Sequence, residues 1–125
     1  VDNMNRAVEM TASELDIRVK EFTVLGQPHG SLFAHHWYIG TDDQVDEQKL
    51  TSLLDRFLKE LNDDYAVERN HALREVIVKI LPSETFYEWM RLQGKEGGQN
   101  KFPRVLKGEK SEAWQQFIHE KGDKL

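Results

Sequence analysis

The segment Leu73–Leu81 (LREVIVKIL) constrains the fold of this chain most strongly. It is apolar at most positions, and its apolar residues are largely β-branched, a composition that favours a β-strand. Pro82 ends the segment, because proline lacks the N–H group that a continuing strand would need. We therefore predict a central strand that other elements cover on at least one face.

Two earlier segments carry further strand signals. Residues 16–25 contain several β-favouring side chains, and their apolar alternation changes side between Val19 and Phe22, as a bulge would cause. Residues 31–39 (SLFAHHWYI) are rich in aromatic side chains, and residues 26–30 read as a turn. These two segments predict an antiparallel hairpin that shares one sheet with Leu73–Leu81.

Helical periodicity recurs along the rest of the chain, at residues 4–15, 46–62, 84–92 and 111–121. Residues 46–62 are the clearest case, with apolar side chains on one face and acidic residues in the first turn. Ser83 is the predicted N-cap of the third helix, and Gly94 and Gly122 follow the ends of the last two. Residues 63–72 are compatible with one or two additional helical turns.

This order of elements predicts an α+β fold, a small and largely antiparallel sheet covered by helices. The length of 125 residues suits one domain, residues 1–125. Three tryptophans lie among apolar neighbours at strand or helix spacing, which favours core packing over ligand stacking: Trp37, Trp89 and Trp114.

Composition and charge exclude several classes of function. The 17 basic and 22 acidic side chains leave a formal net charge of −5, so we expect neither a nucleic-acid partner nor a membrane surface. The absence of cysteine excludes disulfides and a thiolate nucleophile. No apolar run approaches the ~20 residues that cross a bilayer, and no signal peptide is apparent, so we expect a cytoplasmic location.

Neither the histidines nor the paired acids predict a metal or catalytic site. His35 and His36 are adjacent on a predicted strand, so they point to opposite faces and cannot chelate one metal together. Asp42 and Asp43 lie beside a turn, where acidic side chains commonly cap helices. We therefore interpret them as caps rather than as an acid–base pair.

A basic, glycine-rich stretch is the chemically distinctive part of the sequence. Residues 91–110 contain six basic and two acidic side chains, although the whole chain is acidic. Gly97 and Gly98 would let backbone N–H groups approach an anion, and Lys101 and Arg104 would supply positive charge. The spacing matches neither a P-loop nor a dinucleotide fingerprint. The residue pattern leaves two interpretations open, an anion site and a solvated basic surface.

Three blocks carry a family resemblance: VDNMNRAVEMTASELDIRVKEFTV, LNDDYAVER and LPSETFYEWMRLQGKEGGQNKFPR. They resemble consecutive blocks of the plant auxin-inducible acyl-acid amido synthetases and their bacterial relatives, within the adenylate-forming superfamily, and GGQNKFPR after TFYEW is the most specific of them. The resemblance covers only the C-terminal part of such enzymes, and the chain begins with Val1 rather than Met. We therefore expect an excised C-terminal lid domain of a bacterial-type member, without its large N-terminal adenylating domain.

The resemblance also implies a reaction and a set of site residues. The full enzyme would activate a carboxylic acid with ATP and magnesium to an acyl-adenylate, and an amino acid would then displace AMP to form an amide. ATP and Mg would be bound mainly by the large domain, so the isolated domain should be inactive. By resemblance, Lys101 would be the catalytic lysine, and Gly97, Gly98, Gln99 and Arg104 would bind the ligand or order the loop.

Two other classes of function remain open at this point. A stand-alone small-molecule-binding or regulatory α+β module would bind its ligand without any partner domain. A nucleic-acid-binding domain would need a basic face larger than one loop and would show a salt-dependent affinity for DNA.

Overall fold

The computed structural model describes residues 2–29, 32–94 and 102–123. Within these ranges the chain forms five helices and three strands, in the order α1 (Asp2–Leu15), β1 (Glu21–His29), β2 (Leu32–Gly40), α2 (Glu47–Leu61), α3 (Asp63–His71), β3 (Leu73–Leu81), α4 (Ser83–Leu92) and α5 (Gly108–Asp123). Residues 63–72, which the sequence left undecided, are therefore helical. Among these helices, none combines the length and apolar character that crossing a bilayer requires.

The strands form one mixed sheet in the order β1-β2-β3. β1 and β2 make the predicted antiparallel hairpin, with Val24 opposite Trp37, whereas β2 and β3 run parallel, with Trp37 opposite Val78. A parallel pair requires a long crossover connection, which α2 and α3 supply. The predicted α+β class, with a small sheet covered by helices, is confirmed, and its sheet contains one antiparallel and one parallel ladder.

The strand predicted to be central, β3, lies at an edge of the sheet, and the aromatic strand β2 occupies the centre. The apolar run of β3 nevertheless has one buried side, because Val76, Val78 and Ile80 contribute to a hydrophobic core. Glu75 and Ile77 are exposed on the opposite face. The prediction of a central strand was wrong because the apolar side chains of β3 cover only one face of the sheet. Their number had been interpreted as a sign of neighbouring strands on both edges.

The first strand also differs from its predicted bounds. β1 begins only at Glu21, and its pairing with β2 continues through His29 without a register shift. The predicted bulge is therefore absent from the described ladder, and residues 26–29 belong to the strand rather than to a turn. Pro28 is tolerated because its backbone nitrogen faces away from β2, on the same side as that of Val24, so no ladder hydrogen bond is lost.

Helices cover both faces of the sheet, with a hydrophobic core on each. The first core joins α1 and α2 to the sheet through Ala7, Val8, Phe22, Val24, Trp37, Ile39, Leu50, Leu54, Phe57, Leu58 and Val78. The second core joins α4 and α5 to the opposite face through Leu25, Tyr38, Leu81, Phe86, Trp89, Met90, Phe102, Leu106, Trp114 and Ile118. The predicted coverage by α2 and the predicted packing of the three tryptophans are therefore confirmed.

The N-terminus of α4 is capped by a side chain from a distant loop. Ser83, the predicted N-cap, is instead the first helical residue, and Pro82 at the cap position makes no side-chain cap bond. Asp42 accepts hydrogen bonds from the backbone N–H and the hydroxyl of Ser83, both at 3.0 Å. The backbone bond is the largest cause that lowers the pKa of Asp42. The interpretation of Asp42 as a helix cap is thus confirmed. That of Asp43 was wrong, because Asp43 accepts from Arg18 N, between α1 and β1.

Candidate functional site

The structure describes only part of the predicted site. Gly97, Gly98, Gln99 and Lys101 lie outside them, so the structure does not test their predicted roles. Arg104 lies inside, within residues 102–106, which directly follow Lys101 in the chain and are called the anchor segment below. The anchor segment is therefore the described part of the predicted site.

The anchor segment is fixed to the domain by two buried side chains. Phe102 and Leu106 are each only 3% exposed and belong to the second core. The ring of Phe102 packs edge-on against Phe86 and Trp114, with ring centroids 5.0 Å and 4.9 Å away. Edge-to-face contacts of this kind add to the stability gained by burial. The second half of the glycine-rich stretch is thus packed against α4 and α5 rather than solvated.

Backbone hydrogen bonds attach the anchor segment to the outer edge of β1. Val24 N donates to Arg104 O at 2.9 Å, and Leu106 N donates to Val24 O at 3.1 Å. Val24 and Val105 accordingly form an isolated parallel bridge. The hydroxyl of Thr23 donates to Pro103 O at 2.8 Å. These bonds close the β1 edge around Val24, which otherwise would expose unpaired backbone groups there.

Arg104 ties the anchor segment to β1 through its side chain. Its Nη1 donates to Glu21 Oε2 at 2.7 Å and to Phe22 O at 3.1 Å. Its guanidinium also lies over the Phe22 ring, 4.4 Å from the centroid, a cation–π contact. The observed role of Arg104 is therefore to hold the segment in place, and its role towards a ligand stays a prediction.

The cleft beside Arg104 has room for a small group only. It encloses about 120 Å³ between α1 and β1, and its polar lining includes Asn5, Glu9, Lys20 and Glu21. Small-molecule pockets usually measure about 300–1,000 Å³, so this cleft cannot enclose a nucleotide. A few waters or one small polar group fit its size and mixed charge.

A second polar cluster lies between α2 and α3, on the face of the sheet that the first core covers. The hydroxyl of Tyr65 donates to Asp55 Oδ1 at 2.6 Å, and Arg69 Nε donates to the same oxygen at 2.9 Å. Arg69 also donates to Leu73 O at 2.8 Å, so the cluster joins α2, α3 and β3. Sequence reasoning missed this cluster, because Asp55 belongs to α2 and its two partners to α3, and periodicity within one helix does not show how two helices pack.

The electrostatics of this cluster suit a structural role. Burial acts to raise the pKa of Asp55, but hydrogen bonds from Tyr65 and Arg69 outweigh it and leave that pKa lowered. Burial and the bond to Asp55 raise the pKa of Tyr65 far above its usual value, so Tyr65 stays protonated. A fully bonded carboxylate and a protonated phenol are poorly placed for catalysis.

The histidines of β2 point to opposite faces, as predicted. The ring of His35 lies 6.5 Å from that of Tyr65, and its pKa is lowered by burial and then by Arg69. Burial also lowers the pKa of His36, against the opposing charge of Glu75. Among the described residues, no group of three or more potential ligands could hold a metal ion.

The chain is similar to known proteins both in sequence profile and in fold. The sequence profile of the GH3 family C-terminal domain matches residues 2–110. An AtGH3.15 acyl acid amido synthetase in complex with 2,4-DB superposes with a TM-score of 0.70 at 16% identity, over 95% of this chain and 23% of that chain. A second structure, a GH3.15 acyl acid amido synthetase, gives a TM-score of 0.72 at 15% identity, over 95% and 24%.

No curated protein sequence matches the chain significantly. At 15% and 16% identity, the two structures share its fold, and the chain spans only 24% and 23% of their lengths. The family profile is the stronger finding, because residues 2–110 include the whole sheet, the anchor segment and the Asp55–Tyr65–Arg69 cluster. The chain therefore belongs to the GH3 family, of which it contains the C-terminal domain.

Proposed function

We propose that this chain is the C-terminal domain of an ATP-dependent acyl acid amido synthetase, an enzyme that adenylates a carboxylic acid and joins it to an amino acid as an amide. The match of the GH3 family profile to residues 2–110 carries this proposal. The fold shared with two acyl acid amido synthetases supports it. The partner of the domain is then the N-terminal adenylating domain of the same polypeptide.

In this proposal the nucleotide is bound mainly by the large domain. The 120 Å³ cleft beside Arg104 is too small for ATP, and Mg²⁺ prefers carboxylate and phosphate oxygens in octahedral geometry. The described residues offer no cluster suited to Mg²⁺. We therefore assign to this domain a contact with the reacting groups and assign ATP and magnesium binding to the large domain.

Lys101 is the proposed catalytic residue of this domain. In the first half-reaction the substrate carboxylate attacks the α-phosphorus of ATP, and pyrophosphate leaves as the new P–O bond forms. Negative charge accumulates on the oxygens around that phosphorus, and the Lys101 ammonium, a compact point charge on a flexible stem, would stabilise it there. Gly97, Gly98 and Gln99 would shape the loop around the same anionic groups.

The anchor segment supports this assignment because it gives the loop a fixed base. Phe102 follows Lys101 directly and is buried against Phe86 and Trp114. Arg104, two residues further along, binds the carboxylate of Glu21 through its side chain. A catalytic cation needs a preorganised position, and a fixed segment directly after Lys101 in the sequence suits that requirement.

We further propose that the domain swings over the large domain between the two half-reactions. Both faces of its sheet are covered by helices, so the domain can move as one body. An amino acid would enter afterwards and displace AMP from the acyl-adenylate. The cytoplasmic location expected from the sequence stays a prediction.

Substitution of Lys101 in the full-length enzyme tests the proposed site. Lys101→Ala should slow ATP–pyrophosphate exchange by about 10² or more, since removing one preorganised donor or charge costs roughly 3 kcal/mol in the transition state. The free energy of unfolding should change by less than about 0.5 kcal/mol. Lys107→Ala and Lys110→Ala are the matched controls, because both lysines are exposed and lie outside GGQNKFPR. Equal slowing by all three variants, or by none, would contradict the role of Lys101.

The isolated chain tests the division of labour between the domains. The 125 residues alone should catalyse no pyrophosphate exchange with any carboxylic acid. Calorimetric titration with ATP, AMP and amino acids separates this proposal from the stand-alone binding module, which predicts tight binding without a partner domain. Robust exchange by the isolated chain would refute the proposed function.

A further inference from the structure

The outer edge of β3 carries backbone groups without described partners. Thr41 N donates to Leu81 O at 3.0 Å, so the backbone groups of Leu81 face β2. Because these groups alternate in direction along a strand, the N–H and C=O groups of Val76, Val78 and Ile80 face away from β2. No hydrogen bond from the part of the chain that the structure describes reaches them. Such an edge is a template for another strand.

The surroundings of this edge leave it accessible. Ile80 lines a groove on each side, one of about 630 Å³ shared with residues 43–47 and one of about 420 Å³ shared with α4 and α5. Ile77, at the middle of β3, is 39% exposed. Glu75 and Lys79, which flank it on the same face, are exposed too. The edge thus presents an apolar centre between one acidic and one basic side chain.

We propose that this edge binds a second copy of the same chain through antiparallel pairing of the two β3 strands. The sequence LREVIVKIL is self-complementary about Ile77. When the two Ile77 residues face each other across a two-fold axis, Glu75 of each copy lies opposite Lys79 of the other. On the opposite face of the sheet, Val76 of each copy lies opposite Val78. Directly opposed pairs of opposite charge and of β-branched side chains stabilise antiparallel strands.

The backbone orientation agrees with this register. Val76 and Val78, whose polar groups face outward, become opposed residues that exchange both backbone hydrogen bonds, and the two Ile77 residues form a non-hydrogen-bonded pair. With the axis at Val78 instead, Glu75 would face Leu81 and Lys79 would face Ile77. With the axis at Val76, Glu75 would face Ile77. Among these three registers, only the axis at Ile77 pairs the charges.

The geometry also determines the size of the assembly and its strength. A two-fold contact uses the same surface on both copies, so it closes as a dimer rather than growing into a fibre. Joining one strand edge buries less area than the ~1,200 Å² typical of the smallest stable complexes. The dimer is therefore weak and concentration-dependent.

Charge exchange across the axis tests this inference by sedimentation velocity over a concentration series. The wild-type chain should dimerise, and Glu75→Lys or Lys79→Glu should each raise the dissociation constant by about tenfold or more, because like charges then face each other. The double variant Glu75→Lys/Lys79→Glu should restore the dimer. An equimolar mixture of the two single variants should form a heterodimer, since every charge then faces its opposite.

Cross-linking tests the register independently of affinity. The chain contains no cysteine, so Ile77→Cys introduces a single thiol on the proposed axis. Non-hydrogen-bonded pairs have Cα atoms about 4.5 Å apart, within the ~4.4–6.8 Å that disulfides span. Mild oxidation should convert this variant to a covalent dimer much faster than Val67→Cys, whose parent side chain is 56% exposed on α3.

Three results would overturn the inference. A wild-type chain that stays monomeric over the whole concentration range excludes the proposed dimer. A dimer whose dissociation constant is unchanged by both Glu75→Lys and Lys79→Glu must form through another surface. Equal cross-linking rates for Ile77→Cys and Val67→Cys place Ile77 away from the axis.

Discussion

The two edges of the sheet are opposites. At the β1 edge, the anchor segment bonds to both outward groups of Val24 and buries Phe102 and Leu106 in the second core. At the β3 edge, the outward groups of Val76 and Val78 meet no partner among the described residues. The closed edge lies next to the proposed catalytic loop, where a rigid base is needed, and the open edge retains the capacity to bind another strand. The difference shows that one edge of a small sheet can be hydrogen-bonded within the domain while the other edge can still pair with a further strand.

The largest expected effect comes from removing the main side chain of the closed edge. Phe102→Ala should lower the free energy of unfolding by about 3–5 kcal/mol, because it leaves a cavity between Phe86 and Trp114. Urea denaturation measures the loss. Tyr87→Ala on the exposed side of α4 is the aromatic control and should cost much less, since Tyr87 is 37% exposed. Equal losses would show that the anchor segment is not packed as described.

The Arg104 side chain, which links the anchor segment to β1, should contribute less to the free energy of unfolding. Arg104→Ala should destabilise by about 1–2 kcal/mol, because it removes a mostly buried ion pair with Glu21 and a cation–π contact with Phe22. Arg104→Lys keeps the charge but loses the planar stacking, so it should recover only part of the loss. If Arg104→Lys restored full stability in urea denaturation, charge alone would account for the contact.

A buried hydroxyl gives a third, smaller effect at the same edge. Thr23 is fully buried and donates to Pro103 O, so Thr23→Val should cost about 1 kcal/mol by leaving that carbonyl without its partner. Thr51→Val is the matched control, because the Thr51 hydroxyl donates to Glu47 O at the helix surface, where water can replace it. Thermal denaturation should separate the two variants, and equal shifts would contradict a specific role for Thr23.

The open edge should be nearly neutral for the stability of a single copy. Ile77→Thr should change the free energy of unfolding at low protein concentration by no more than about 0.5 kcal/mol, because Ile77 is 39% exposed and the residue stays β-branched. Urea denaturation under conditions that keep the chain monomeric measures this. A loss comparable to that of Phe102→Ala would mean that both edges are equally important for folding.

The smallest effect concerns the histidines of β2, between the two edges. Burial lowers the pKa values of His35 and His36 in the folded chain, so the unfolded chain binds protons more readily. The free energy of unfolding should therefore be highest above about pH 6.5 and should fall as the pH drops below that value, in a range where the carboxylates are still ionised. Comparing urea denaturation at pH 7.5 and pH 5.5 tests this. His35→Gln should reduce this pH dependence, because it removes one of the two imidazoles whose pKa burial lowers.

Local patterns were sufficient to predict most elements. The bounds of β3 follow from its β-branched run and Pro82, and α2 follows from its apolar stripe and its first acidic turn. The glycine-rich stretch also stood out by composition. The sequence did not reveal that its second half is packed on β1, because Phe102, Arg104 and Leu106 find partners about 80 residues earlier or in other helices.

The sequence by itself determined the element types, the α+β class and the resemblance to amido synthetases, because helical and strand periodicities and family motifs are properties of neighbouring residues. Tertiary structure alone decided which strand is central, which edge is closed and what Arg104 contacts. Strand order depends on where the crossover through α2 and α3 returns the chain, and edge closure depends on contacts between distant segments. Neither is encoded in the local spacing of residues, so both appear only when the whole chain has packed.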